Sequence, residues 1–336
     1  MNHSHMALTI DECVELTHLK EKITMVIPTR NSSIECLLWS VFSLLLRSKP
    51  NGMMEHFCVC INGPDERTGK TEEEDKKQKF LEELRDLKWY HTENPKNNMP
   101  MPLTVIRVWS RVGYTEVFEM ALNWVHTDAY CVMHDDVILL DKDWEQEIKN
   151  KFYNEEKVAI AYIPPLHGCI CDHHIHRGMY LLRLPQLQTT FVVCKKKDIM
   201  KVGGLWRGYH IPSDDNMLQF DLEEIGDIAE FENFWREQKL YDKPVIKTEL
   251  YNFVRQEVGA WVYYKLHQAG YKFAALDSNM ILHFEGMTKS DITPEIRMQK
   301  IESYKNEIKS LEKEILDHPE YSVLYRKYLP KDLQEN

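Results

Sequence analysis

The chain has no long hydrophobic run and no apolar leader. Its longest apolar stretch, residues 36–46, is interrupted by Ser40 and Ser43. It is also shorter than the roughly 20 residues that a membrane-spanning helix needs. The first residues are polar and lack the apolar core of a signal peptide. These absences argue against stable membrane insertion and against a secretory leader, so we expect a cytoplasmic protein.

Positive charge is also scarce, because 42 Lys and Arg residues face 53 Asp and Glu residues, for a formal net charge of −11. This balance argues against a general affinity for the nucleic-acid backbone, although it does not conflict with a local basic patch. The eight cysteines, without a leader, indicate mostly free thiols in a reducing compartment. The 336 residues, 43% of them hydrophobic, suffice for one large α/β domain with or without an appendage.

Strand-like and helix-like segments alternate along the first half of the chain. Apolar segments of strand character cover 23–28, 56–61, 103–108, 129–133 and 158–163, and amphipathic segments of helical character cover 34–47, 72–87, 115–125 and 144–152. This alternation predicts a mostly parallel, doubly wound sheet. Later segments predict short strands at 191–194, 271–275 and 279–283 and helices at 255–268 and 295–316. The last helix is expected to pack across the domain, with a dimer contact as the alternative.

The segment His134-Asp135-Asp136 directly follows the apolar run 129–133. It therefore lies at the carboxyl end of a predicted strand, where open α/β sheets bind ligands. Carboxylates at such a position suit Mg²⁺ or Mn²⁺, which bind one or two carboxylates together with substrate phosphates. The alternative is that the acidic pair only begins a solvated turn.

The order of these segments resembles the GT-A glycosyltransferases, in particular the large inverting family 2 that includes cellulose, chitin and hyaluronan synthases. Five short motifs carry the resemblance through their order and spacing, and they lie at 26–31, 59–68, 134–136, 202–205 and 257–283. The resemblance implies a Rossmann-like GT-A fold over residues 22–288, with a nucleotide-binding part (22–140) and an acceptor part (141–288). A helical tail follows at 289–336.

The resemblance also implies roles for particular residues. The last acid of the family's Asp-x-Asp motif holds a divalent cation and corresponds to Asp136, and a distal strand-end histidine corresponds to His283. The family's first acid approaches the ribose, and here His134 replaces it. The residues implied to contact the nucleotide donor are Pro28, Arg30, Asn31, Asn62, Arg111, His134 and Asp135. Each of these has an ordinary structural interpretation as well, since Asn is a common turn residue and histidines often end strands.

Inverting transfer needs a general base beside the acceptor hydroxyl. The family carries an acidic pair at the start of its closing helix, and the matching position here reads Gln256-Glu257, which favours Glu257. Asp214 and Asp215 lie nearer in sequence to the Gly-Gly motif and compete for the same role. All three could instead be exposed acids at helix starts, where the helix dipole favours them.

A loop at 167–176 contains four histidines and two cysteines and carries a different hypothesis. These side chains could hold Zn²⁺, although their spacing is not one of the common structural zinc patterns. In the GT-A arrangement the same loop lies on the acceptor side. A non-catalytic, zinc-stabilised binding module is therefore one alternative function. A sugar-nucleotide nucleotidyltransferase is another, disfavoured because the Gly-rich phosphate loop of those enzymes is missing after the first strand.

The sequence thus predicts a metal-dependent, inverting glycosyltransferase. Its implied cofactor is Mn²⁺ or Mg²⁺, and its implied donor is a nucleotide-diphosphate sugar, with a UDP-sugar favoured. The acceptor hydroxyl could belong to a glycan, a protein or a small molecule. A modified DNA base is disfavoured as the acceptor by the acidic balance of the chain.

Overall fold

The computed structural model describes residues 21–29, 32–63, 71–91, 94–109, 117, 120–163, 190–202, 266, 269–284 and 293–334. Its strands are β1 (Ile23–Thr29), β2 (Met54–Asn62), β3 (Lys88–His91), β4 (Asn94–Pro100), β5 (Leu103–Val108), β6 (Ala129–Met133), β7 (Val137–Leu139), β8 (Val158–Tyr162), β9 (Phe191–Lys195), β10 (Lys272–Ala275) and β11 (Ile281–His283).

Its helices are α1 (Ile34–Arg47), α2 (Glu72–Arg85), α3 (Trp144–Ile148), α4 (Lys196–Lys201), α5 (Pro294–Ser303), α6 (Lys305–Asp317), α7 (Pro319–Tyr328) and α8 (Lys331–Gln334). A π-helical turn, Lys149–Tyr153, continues α3, and a 3₁₀ turn, Ser278–Met280, precedes β11. Among the helices described, none combines the length and the apolar character needed to cross a bilayer.

The central sheet has seven strands in the order β10-β8-β9-β6-β1-β2-β5. Neighbouring strands are parallel except at β9, which runs antiparallel to both β6 and β8. The prediction of a mostly parallel α/β sheet flanked by helices, with a helical C-terminal extension, is confirmed. The helix expected at 34–47 and the strands expected at 103–108 and 129–133 have the predicted bounds.

Alternating side chains of the strands feed two apolar cores, one on each face of the sheet. Met25 and Ile27 of β1 belong to the larger core, and Val26 between them belongs to the smaller one. Helix α1 lies within the larger core and is buried along its whole length, which explains why most of its residues are apolar. The free cysteines in the described part are all buried, and they are Cys36, Cys58, Cys60, Cys131 and Cys194.

The C-terminal tail packs against the outer side of α1. Trp39 of α1 donates a hydrogen bond from Nε1 to Oη of Tyr325 in α7 at 2.9 Å. Arg47 at the end of α1 donates two hydrogen bonds to the Glu314 carboxylate of α6, at 2.6 and 2.8 Å. Helices α6 and α7 therefore complete the larger core, because their apolar residues cover α1.

The single helix predicted at 295–316 is wrong, because the structure divides this segment into α5 and α6 at Tyr304. The Tyr304 ring packs edge-to-face on Phe284, with ring centroids 5.4 Å apart. The backbone of Tyr304 leaves the helical region (φ −114°, ψ 21°), and its carbonyl then accepts from Ile308 in the next helix. The break follows from a tertiary contact, which the periodicity of this segment does not reveal.

The tail is expected to contribute substantially to stability. Ile315 of α6 is fully buried, whereas its neighbour Leu316 is 38% exposed. Truncating a buried Ile to Ala costs about 2–5 kcal/mol, and surface substitutions usually change stability by less than about 0.5 kcal/mol. We therefore expect Ile315→Ala to lower the free energy of unfolding, measured in urea, by much more than Leu316→Ala does. Equal, small effects would show that the tail is not part of the cooperative core.

Two small antiparallel sheets lie outside these predictions. Strands β3 and β4 form a hairpin, which the sequence did not predict because Asn94–Pro100 contains few residues that favour strands. Strand β7 pairs with β11, and only the last three residues of the strand expected at 279–283 are extended. This second pair determines the geometry of the site described next.

Candidate metal centre

The backbone of the turn after β6 is held by hydrogen bonds to residues from other parts of the chain. The His134 amide donates to the carbonyl of Thr190 at 3.0 Å, and Ser40 Oγ donates to the His134 carbonyl at 3.2 Å. The Phe284 amide donates to the Asp136 carbonyl at 2.9 Å. Three separate parts of the chain therefore fix the backbone of this turn, and both of its carboxylates are only 3% exposed.

The pairing of β7 with β11 brings His283 beside Asp136. In this antiparallel pair His283 is opposite Val137, the residue that follows Asp136. Asp136 Oδ1 lies 3.4 Å from His283 Nε2 and 3.9 Å from His134 Nδ1. The potential ligand atoms of these three side chains all lie within 4.8 Å of one another. The structure thus brings the two predicted metal ligands, Asp136 and His283, together and adds His134, which the sequence assigned to the ribose.

The three side chains fit a divalent cation. Asp136 Oδ1 is buried and accepts no hydrogen bond within the described residues. A bound cation would give this buried oxygen the partner that it lacks there. Burial lowers the pKa of His134 to about 4, so near neutral pH its ring is uncharged and can act as a ligand. Burial opposes ionisation of Asp136, but contacts with His283 and His134 outweigh it and hold the Asp136 pKa below its ordinary value.

The cluster is open on one side. The side chains of His134 and His283 are 27% and 23% exposed, whereas that of Asp136 is 3% exposed. A cation held by these residues would keep coordination positions on the exposed side for ligands from solvent or from a substrate. Partial exposure of this kind leaves room for a further ligand, which a closed structural metal site does not.

Asp135 points to a different network from its neighbour. Ser32 Oγ donates a hydrogen bond to Asp135 Oδ2, and the fully buried Lys77 of α2 donates from Nζ to Ser32 Oγ at 3.1 Å. Thr29 Oγ1 lies 3.1 Å from the same Ser32 oxygen. Burial raises the pKa of Asp135 to about 6, Asp136 adds to the increase, and the positive charge of Lys77 opposes it. The two adjacent acids thus face different partners: Asp136 lies beside the two histidines, and Asp135 accepts from Ser32, which in turn accepts from Lys77.

Lys77 is a site residue that the sequence analysis missed. Helix α2 is rich in Glu and Lys, so it was interpreted only as a charged amphipathic helix. A signal was available, because Lys77 precedes the buried Phe80, Leu81 and Leu84 by three, four and seven residues. That spacing places Lys77 on the apolar face of the helix. A lysine on such a face is almost never fully buried unless it is paired.

Of the remaining predicted site residues, the structure describes only Asn62 and Pro28. Asn62 ends β2 at the same edge of the sheet as the cluster and is 3% exposed. Pro28 is buried in β1, where it pairs with Cys60 of β2. The other candidates lie outside the described residues: Arg30, Asn31, Arg111, Asp214, Asp215, Glu257 and the loop 167–176.

Comparison with known proteins gives matches among solved structures alone. No family model and no curated protein matches the chain. A mannosyltransferase from Pyrobaculum calidifontis in complex with GDP-Man and Mn²⁺ matches with a TM-score of 0.42 and 11% identity, over 80% of this chain and 62% of that one. Residues 1–349 of TarS from S. aureus match with a TM-score of 0.34 and 14% identity, over 54% of this chain and 48% of that one.

A further match is the glucosyl-3-phosphoglycerate synthase of Mycobacterium tuberculosis in complex with Mn²⁺, UDP and phosphoglyceric acid. Its TM-score is 0.33 at 11% identity, over 57% of this chain and 62% of that one. The chain therefore spans less than two thirds of each of these structures. All three structures resemble this chain in fold only, and this resemblance assigns no activity to the chain.

Proposed function

We propose that the chain is a metal-dependent, inverting glycosyltransferase that moves a sugar from a nucleotide-diphosphate sugar to an acceptor hydroxyl. The observation that carries the proposal is the cluster of His134, Asp136 and His283 at the carboxyl end of β6. It lies where the sequence resemblance calls for a metal that binds the donor. A divalent cation bound there would act as a Lewis acid on the departing diphosphate.

The donor set favours Mn²⁺ over Mg²⁺. Two imidazoles and one carboxylate are a softer set of ligands than the all-oxygen sets that Mg²⁺ prefers. The replacement of the family's first acid by His134 is therefore expected to change which metal supports activity. Mn²⁺ should give clearly faster turnover than Mg²⁺ at equal concentration.

The chain's own residues have two further tasks in this proposal. Asn62 at the end of β2 would contact the nucleoside of the donor, and the buried network of Asp135 and Lys77 would hold Ser32 in place. Glu257, with Asp214 and Asp215 as competitors, would take the proton from the acceptor hydroxyl as it attacks the sugar carbon. Attack from the side opposite the leaving diphosphate inverts the configuration at that carbon.

Slow hydrolysis of the donor in the absence of acceptor tests the proposal. The protein is incubated with UDP-, GDP- and TDP-sugars and either Mn²⁺, Mg²⁺ or EDTA. Release of a nucleoside diphosphate that depends on Mn²⁺ supports sugar transfer, whereas formation of a nucleoside triphosphate and a sugar 1-phosphate when pyrophosphate is added would instead indicate nucleotidyl transfer. Absence of turnover together with tightly bound zinc in elemental analysis would favour the zinc-stabilised binding module.

Replacing the proposed general base tests the second half of the reaction. We expect Glu257→Gln to reduce the rate of transfer by about 100- to 10,000-fold, the usual contribution of a positioned base. Binding of the nucleoside diphosphate with Mn²⁺, measured by calorimetry, should stay unchanged because the base does not contact the donor phosphates. An unaltered transfer rate would move the role to Asp214 or Asp215, which the same substitution to Asn would then identify.

A further inference from the structure

Trp109 is an exposed aromatic residue at the carboxyl ends of the strands, the same side of the sheet as the cluster of His134, Asp136 and His283. It directly follows β5, and its side chain is 71% exposed. The Gly63 amide, one residue after β2, donates to the carbonyl of Val108 at 2.9 Å, so the ends of β2 and β5 lie side by side. Because Asn62 pairs with Val108, the amide of Asn62 and the indole of Trp109 belong to neighbouring strand ends.

One side of the Trp109 ring is occupied by a buried cation. The guanidinium carbon of Arg107 lies 5.0 Å from the centre of the ring. The Arg107 side chain is only 7% exposed, and its Nη2 donates to Asp75 of α2 at 3.2 Å. Its Nε and Nη1 are buried and have no hydrogen-bond partner within the described chain. An exposed ring backed by a guanidinium group is held in a fixed plane, and its other face remains available for stacking.

The distance between Trp109 and the cluster suits a nucleotide. The sheet order places β1 and β2 between β6 and β5, so the two features are three strand spacings apart. At the usual separation of neighbouring strands this amounts to about 14 Å. An extended nucleoside diphosphate covers such a span, with its diphosphate at one end and its base at the other. Asn62, at the end of β2, lies on the path between the two ends.

We infer that Trp109 is the stacking surface for the nucleobase of the donor, and that Arg107 is a positioning residue that holds the indole ring in place. The ligand class is a planar heteroaromatic base joined to a diphosphate. The inference rests on the proposed function, because it assigns the base of the same donor whose diphosphate meets the metal. Stacking tolerates any base, so selection among bases would come from groups that hydrogen-bond to the base edge.

Calorimetric titration of the full chain with Mn²⁺ and either a nucleoside diphosphate or inorganic pyrophosphate tests the inference. UDP, GDP and TDP are compared first, and the one that binds most tightly to the wild type is used. Trp109→Ala should weaken binding of this nucleoside diphosphate by about tenfold or more, the usual effect of removing one stacked base. Binding of pyrophosphate, which has no base, should not change. Trp109→Phe should restore most of the lost affinity.

Trp124→Ala is the matched control, because Trp124 is also exposed, at 47%. It should bind both ligands as the wild type does. The inference is overturned if Trp109→Ala binds the nucleoside diphosphate within twofold of the wild type, or if it weakens pyrophosphate to the same extent. Either result would leave the proposed function standing. If the wild type binds pyrophosphate and Mn²⁺ but none of the three nucleoside diphosphates, the inference and the proposed function both fail.

Discussion

Replacing Asp136 by Asn is expected to abolish Mn²⁺-dependent turnover while leaving the fold intact. Asp136 is the only carboxylate of the three-residue cluster, and its Oδ1 lies between the two histidines. Outer partners of metal ligands typically account for about 10- to 100-fold in affinity or activity, so loss of the ligand itself should exceed about 100-fold. The asparagine keeps the shape of the side chain, and the backbone bonds that hold the turn do not involve the carboxylate.

Titration with Mn²⁺, donor hydrolysis and thermal unfolding together check this prediction. The control is Asp143→Asn, an exposed aspartate on the turn before α3 that should change neither metal binding nor turnover. If Asp136→Asn lowers the melting temperature strongly, Asp136 has a structural role. If it retains Mn²⁺ affinity, the cluster is not the metal site.

Among the substitutions considered, replacing Lys77 by Met is expected to lower the free energy of unfolding the most. The substitution keeps the apolar stem but removes the positive charge that faces Ser32 and Asp135. Removing one member of a buried charged pair costs about 3–5 kcal/mol, because the other charge is left uncompensated. Chemical denaturation measures the loss, and Lys79→Met on the exposed side of the same helix is the control that should have little effect.

The loss caused by Lys77→Met should depend on pH in a defined direction. Burial already raises the pKa of Asp135 to about 6, and removing Lys77 takes away the charge that opposes this increase. A carboxyl group with a raised pKa in the folded state destabilises the fold as pH rises past its unfolded value and stops doing so when protonated. The loss should therefore be larger at about pH 8 than at about pH 5.

A double variant separates the charge effect from a packing effect. Lys77→Met combined with Asp135→Asn removes both buried charges, so it should be more stable than the sum of the single variants predicts. Simple additivity, together with a loss that does not vary with pH, would show that Lys77 acts through its apolar stem alone.

Much of the site was predictable because its parts are local features of the chain. Asp136 follows an apolar run of strand length, and the carboxyl end of such a strand is a standard location for ligands. The sequence also singled out His283 as a metal ligand, but it did so through resemblance to a family. In the chain itself His283 and Asp136 are far apart, and no local pattern joins them.

The parts that were not predictable depend on long-range contacts. The position of His134 beside Asp136 and His283 follows from the contact between the β6 turn and β11, where the two histidine rings lie 6.0 Å apart. The burial of Lys77 requires α2 to pack against Ser32 and the start of α1, which the charged composition of α2 does not indicate. The place of Trp109 depends on β5 being the neighbour of β2 at the edge of the sheet.

The sequence by itself determined the alternation of strands and helices, the bounds of α1, β5 and β6, and the position of the acidic pair at a strand end. These features are set by hydrophobic periodicity and by residue preferences, which act over a few residues. The tertiary structure alone decided the insertion of the antiparallel β9, the break of the tail at Tyr304 and the meeting of His134, Asp136 and His283. Those features arise from pairing and packing between distant segments, which short-range patterns do not encode.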